Sequence, residues 1–70
     1  MKQIRSEMAG TVLELKVKVG DSVTAGQEVA IVESMKMEVP LVSPVAGQVS
    51  AVKKVAGDFL NDGEVVIELT

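Results

Sequence analysis

SEMAGTVLELKVKVGDSVTAG, residues 6–26, recurs without a gap as SPVAGQVSAVKKVAGDFLNDG, residues 43–63. The identities are Ser6/Ser43, Ala9/Ala46, Gly10/Gly47, Val12/Val49, Lys16/Lys53, Gly20/Gly57, Asp21/Asp58 and Gly26/Gly63. Most of these residues make turns and do not fill cores, so what is repeated is the path of the chain. After a slip of one residue the match continues as EVAIVE from Glu28 against EVVIEL from Glu64, which leaves residues 34–42 between the two copies. Each copy reads as strand, turn, strand, turn, strand. Gly20-Asp21 and Gly57-Asp58 mark one turn, and Gly26 and Gly63 the next.

Helix is disfavoured throughout. Glycine interrupts the chain about every ten residues, fourteen valines favour extended backbone, and no useful stretch has apolar spacing of three and four. In the last strand, alternation predicts Val65, Ile67 and Leu69 facing the core, with Glu64, Val66 and Glu68 facing out. In the long strand expected from Gly10 to Val19, the matched apolar positions Val12/Val49 and Leu15/Val52 lie three apart. Such positions share a face only across a bulge or bend. Two copies of three or four strands, neither able to bury its apolar side alone, are expected to pack on each other. The expected result is a flattened all-β barrel or sandwich with approximate two-fold symmetry, one domain over residues 1–70.

Composition excludes several functions. There is no cysteine and no histidine, which removes disulfides, thiolate chemistry and the commonest general base and metal ligand; no metal site is expected. The net charge of −3 comes from dispersed charges without the basic patch that nucleic acid requires. No apolar run approaches the ~20 residues of a membrane helix, and the first ten residues lack the apolar segment of a secretory signal. A cytoplasmic protein with neither nucleic-acid nor membrane partners is expected.

Between the copies lies EVAIVES, then Met35-Lys36, then MEVPLVS: two β-like runs with a tight reversal. A two-residue primed turn there forces positive φ on Met35 and Lys36, at some cost in strain because the usual Asn-Gly or Asp-Gly is missing. Residues alternating around such a turn cannot all point inward, so at least one of Met35 and Met37 is expected at the surface. GDSV at residues 20–23 is read as a turn and not as an attachment serine, because the second copy has Phe59 where the first has Ser22.

ESMKME, residues 33–38, resembles the E-A-M-K-M motif of the biotinyl domains of biotin-dependent carboxylases. The similarity extends through IRSEMAGTV, VKVGDSVTAGQEV and SPVAGQVSAVKKVAGDFLNDGEVV, which is nearly the whole chain. It departs from the family pattern at Glu7 and Ala9, where R-S-P-M-P-G is common, and at Ser34, where the motif has alanine. The resemblance is to the smallest, stand-alone biotin/lipoyl attachment proteins, and it implies a barrel-sandwich hybrid with the modified lysine on a hairpin turn.

The same resemblance implies a non-catalytic biotin carboxyl carrier. Biotin would be joined through its carboxylate to Lys36, on an arm of roughly 14 Å at ~1.5 Å per bond. The implied partners are a biotin protein ligase, a biotin carboxylase and a carboxyltransferase. The alternatives are lipoate on the same lysine, added by a lipoyl ligase, or an unmodified protein-binding adaptor. Met35 and Met37 are expected to adapt to differently shaped partners and to influence cargo choice. Carboxylates beside an amine favour its charged form, so Glu33 and Glu38 are assigned to ligase recognition and the ligase must supply the base.

Overall fold

The computed structural model describes residues 2–70 and contains eight strands: β1 (Lys2–Arg5), β2 (Gly10–Leu15), β3 (Ser22–Val23), β4 (Glu28–Ser34), β5 (Met37–Val42), β6 (Gly47–Val52), β7 (Phe59–Leu60) and β8 (Val65–Leu69). They form two four-stranded antiparallel sheets, in the orders β1-β8-β6-β3 and β5-β4-β2-β7. The fold is the expected all-β barrel-sandwich hybrid.

The repeat is visible as an internal two-fold. An offset of 37 residues carries β1 onto β5, β2 onto β6, β3 onto β7 and β4 onto β8. The copies do not, however, form one sheet each. β1 and β3 of the first copy share a sheet with β6 and β8 of the second, while β2 and β4 share the other sheet with β5 and β7. The copies interleave because edge strands from one satisfy the open backbone groups of the other, which no isolated copy can do.

The turns are shared in the same reciprocal way. Val12 N donates to Asp58 O at 2.8 Å and Val49 N to Asp21 O at 2.8 Å; Gly26 N donates to Ser43 O at 2.7 Å and Gly63 N to Ser6 O at 2.8 Å. Ser6 and Ser43 are buried, and each hydroxyl donates to a carbonyl two residues on, that of Met8 or Val45.

The core is built from symmetric pairs: Ile4/Leu41, Val12/Val49, Val23/Leu60, Val29/Val66, Ala30/Ile67 and Val32/Leu69 are all buried. This pairing has no slip, so the one-residue shift expected after Gly26 is corrected. Gln27 corresponds to Glu64: the Oε1 of Gln27 accepts from Thr24 N at 3.0 Å, and that of Glu64 from Asn61 N at 2.9 Å.

Simple alternation in β8 is corrected too. Val66 is fully buried beside Ile67, and Val65 is only partly buried. The register between β1 and β8 jumps from Ile4↔Ile67 to Arg5↔Val65, so Val66 is an extra residue. A bulge turns two successive side chains to one face. β5 and β4 repeat the device, jumping over Val29 between Glu28 and Ala30.

The bulge expected between Val12 and Leu15 is present, as a register shift between Val12 and Glu14, and the symmetric one lies between Val49 and Ala51. Leu15 and Val52 thereby pack against the core on the same side as Val12 and Val49. The strand ends at Leu15, not Val19. Asp21 Oδ2 accepts from Lys18 N at 3.0 Å, which turns the chain before a longer strand can form.

Candidate functional site

β4 and β5 pair in register to their ends: Val32↔Val39, Glu33↔Glu38 and Ser34↔Met37. Only Met35 and Lys36 remain to close the hairpin, with φ of 53° and 63°. Both are left-handed, as a type I′ turn requires, and that turn matches the twist of the strands it joins. Neither residue is glycine or asparagine, and a side chain in this region costs ~1–2 kcal/mol. The long β4–β5 ladder holds the turn in spite of that cost.

The tip is open. Met35 is 91% exposed and Met37 67% exposed, and Lys36 lies between them, also exposed. Both methionines are therefore surface residues. The ion pairs of the described residues are Lys16–Glu28, Lys53–Glu68 and Lys54–Glu64, none of which involves Lys36. Glu33 and Glu38 are exposed and stand directly opposite each other across the ladder, where like charges repel. They flank the neck of the hairpin without binding the amine. Among the described residues no three acidic side chains gather as a metal site.

Two supports of this site were not singled out from the sequence. Ser34 Oγ donates to Ala9 O at 2.9 Å, tying the last residue of β4 to the segment before β2. Gly10 then passes so close beneath the hairpin that a Cβ there would lie 2.4 Å from Glu33 O and 2.8 Å from Val32 Cγ1. The sign was present: Gly10 and Gly47 are identical glycines at the start of strands, where no turn calls for them. The amine, the thioethers and the carboxylates are all exposed at the tip. An amine so placed leaves room for an acyl chain joined to it.

The model of the family described as "Biotin-requiring enzyme" matches residues 2–69. The "Biotin/lipoyl attachment protein" of Bacillus subtilis (strain 168) is 53% identical over 64 residues, 91% of this chain and 88% of that protein. The mitochondrial propionyl-CoA carboxylase alpha chain of Homo sapiens is 39% identical over 66 residues, 94% of this chain but 9% of its own length. The crystal structure of the Kluyveromyces lactis urea carboxylase superposes with a TM-score of 0.91 at 30% identity, over 99% of this chain and 6% of that one. This chain therefore spans most of one small relative and under a tenth of each carboxylase. By the match over residues 2–69 and the shared fold, the chain belongs to the biotin/lipoyl attachment family.

Proposed function

We propose that this chain is a biotin carboxyl carrier with Lys36 as its attachment residue. The observation that carries the reading is the placement of Lys36: an amine with no ion-pair partner among the described residues, in a strained two-residue turn at the tip of a hairpin held rigid by ladder pairing. A ligase must bring its own active site to this amine, and an exposed tip admits it. Biotin, joined to the Lys36 amine as an amide, supplies a ring that takes up and gives up a carboxyl group, at a biotin carboxylase and a carboxyltransferase respectively.

Apart from the Lys36 amine, which becomes the amide nitrogen, the protein's own residues do no bond-making in this scheme. The ladder aims Lys36, Ser34 and Gly10 brace the hairpin, and Met35 and Met37 offer polarisable contact to partners of different shape. Glu33 and Glu38 give the neck a negative charge that a ligase can read. The chain is a non-catalytic subunit, working in the cytoplasm. A second reading keeps the site and changes the cargo to lipoate, which the name of the Bacillus subtilis relative covers alongside biotin.

Intact-mass and peptide mass spectrometry of the natively expressed protein separates these readings, since biotin, lipoate and no addition give different masses. The expected result is one biotin, on Lys36, absent from Lys36→Arg. That variant should fold as wild type, since an exposed substitution normally costs less than about 0.5 kcal/mol. Biotin on Lys53 or Lys54, or an unmodified protein in a cell with active ligase, sinks the proposal; lipoate alone selects the second reading.

A further inference from the structure

The internal two-fold supplies a control for every surface residue, because each position in one sheet has a counterpart in the other under the same structural demands. On the outer face of the β5-β4-β2-β7 sheet, which carries Lys36, the register sets Glu38, Glu33, Thr11 and Phe59 in a row across all four strands. The next row is Pro40, Ile31 and Glu14, with Leu13 beside it in the bulge, and Val42 follows along β5. Phe59, the single aromatic residue of the chain, is 58% exposed, Val42 43% and Leu13 40%.

The counterparts in the sister sheet are all polar: Ser22 for Phe59, Ser50 for Leu13, Glu68 for Ile31, Gln3 for Pro40 and Arg5 for Val42. The fold is thus built with polar residues at these positions in one sheet, so their apolar character in the other is not a requirement of folding. Val19, Val55, Val45 and Met8 are also exposed but lie in the turns and loops; exposed apolar side chains in the strands of one sheet and not of its sister mark contact with another macromolecule.

From this we infer that the outer face of the β5-β4-β2-β7 sheet docks an enzyme that acts on the loaded carrier, through a surface with an apolar centre and a basic rim. The inference rests on the carrier reading above. The rim chemistry follows from charge: Glu14, Glu33 and Glu38 lie on this face without an ion-pair partner among the described residues, and Lys16 at its far end is already bound to Glu28 at 3.3 Å. A second copy is disfavoured as occupant, since it brings acid to acid in a chain of net charge −3.

Reach separates this enzyme from the ligase. Phe59 stands two strands, or about 10 Å, from Glu33, which flanks the neck of the hairpin just below Lys36. A bare lysine extends only about 6 Å, so the ligase must cover the tip and its neck; an arm of roughly 14 Å lets a ring-handling enzyme grip the sheet farther down instead.

The test uses the full chain with Leu13→Ser/Phe59→Ser, which installs the sister-sheet residues, and the reverse control Ser22→Phe/Ser50→Leu. Kd for the apo and biotinylated forms, and KM for the biotinylated form, are measured with the biotin carboxylase and the carboxyltransferase purified from the organism that makes this chain. Biotin loading by the ligase and thermal midpoint are measured in parallel. The expected result is a rise of tenfold or more in Kd and KM for at least one of the two enzymes, with kcat and loading within twofold of wild type and no effect of the reverse control. Unchanged binding to both enzymes overturns the docking face. So does a loss of loading that parallels the loss of binding, since the ligase is then the occupant. A wild-type protein that accepts no biotin fails before any variant is made, and removes the carrier reading and this inference together. If the double variant does not fold, Val42→Arg sets a cation against the basic rim and must weaken binding at least tenfold by the same measurement, or the inference is wrong.

Discussion

Gly10→Ala adds one methyl group where β2 passes under the base of the β4–β5 hairpin. Gly10 is not among the residues with positive φ, so alanine meets no backbone obstacle. In open space the change would stabilise by ~0.4–1 kcal/mol, through the lower entropy of the unfolded chain. The space is closed: the new Cβ falls 2.4 Å from Glu33 O and 2.8 Å from Val32 Cγ1. The carbonyl belongs to a paired strand and cannot rotate away, so β2 and β4 must separate. Overpacking of this kind costs ~1–3 kcal/mol and occasionally more, and with main chain as the obstacle the upper end applies, for a net loss of about 2 kcal/mol. A domain of this size holds only about 4–10 kcal/mol in total, and each kcal/mol moves the thermal midpoint by ~4–8 °C, so a fall of roughly 8–16 °C is expected.

Gly47→Ala is the built-in comparison. Its Cβ meets Thr70 O at 2.9 Å, a longer contact with a residue just outside β8, and the expected loss is under about 1 kcal/mol. Thermal and urea unfolding followed by far-ultraviolet circular dichroism measures both variants, and biotin loading of Gly10→Ala should slow as the hairpin shifts. A Gly10→Ala protein within about 0.5 kcal/mol of wild type, or one more stable than Gly47→Ala, refutes the close-approach argument.

Met35→Gly should raise stability by about 0.5–1 kcal/mol by relieving a side chain held at φ 53°, and should slow biotin loading through the lost contact; calorimetry and a ligase assay read the two effects. A drop in stability would mean that the turn is not strained as described. Glu64 is held below the usual carboxylate range, first by its hydrogen bond to Lys54 and then by the Asn61 backbone N–H. A lowered folded-state value gives stability that is present above the unfolded value near 4.5 and is lost as pH falls through the folded value. Glu64→Gln keeps the backbone cap, as Gln27 does in the symmetric turn, and loses the ion pair. The wild type should therefore be the more stable at neutral pH and the two should converge in acid; parallel unfolding curves across that range would remove Glu64 from the pH dependence.

Much of this protein is written in local sequence. Gly20, Gly26, Gly57 and Gly63 sit at positive φ where the turns were expected, and two β-like runs with two residues between them fix Lys36 at a hairpin tip whatever else the chain does. Backbone freedom at glycine and the length of a gap are properties of a few neighbouring residues, so sequence alone determines them. The interleaving of the two copies, the burial of Val66, the seat of Gly10 under Glu33 and the one-sided apolar face were decided only by tertiary structure. Each depends on which distant strand lies alongside and in what register. A single bulge residue turns the following side chains to the other face, so alternation read along one strand cannot reveal what two paired strands bury together.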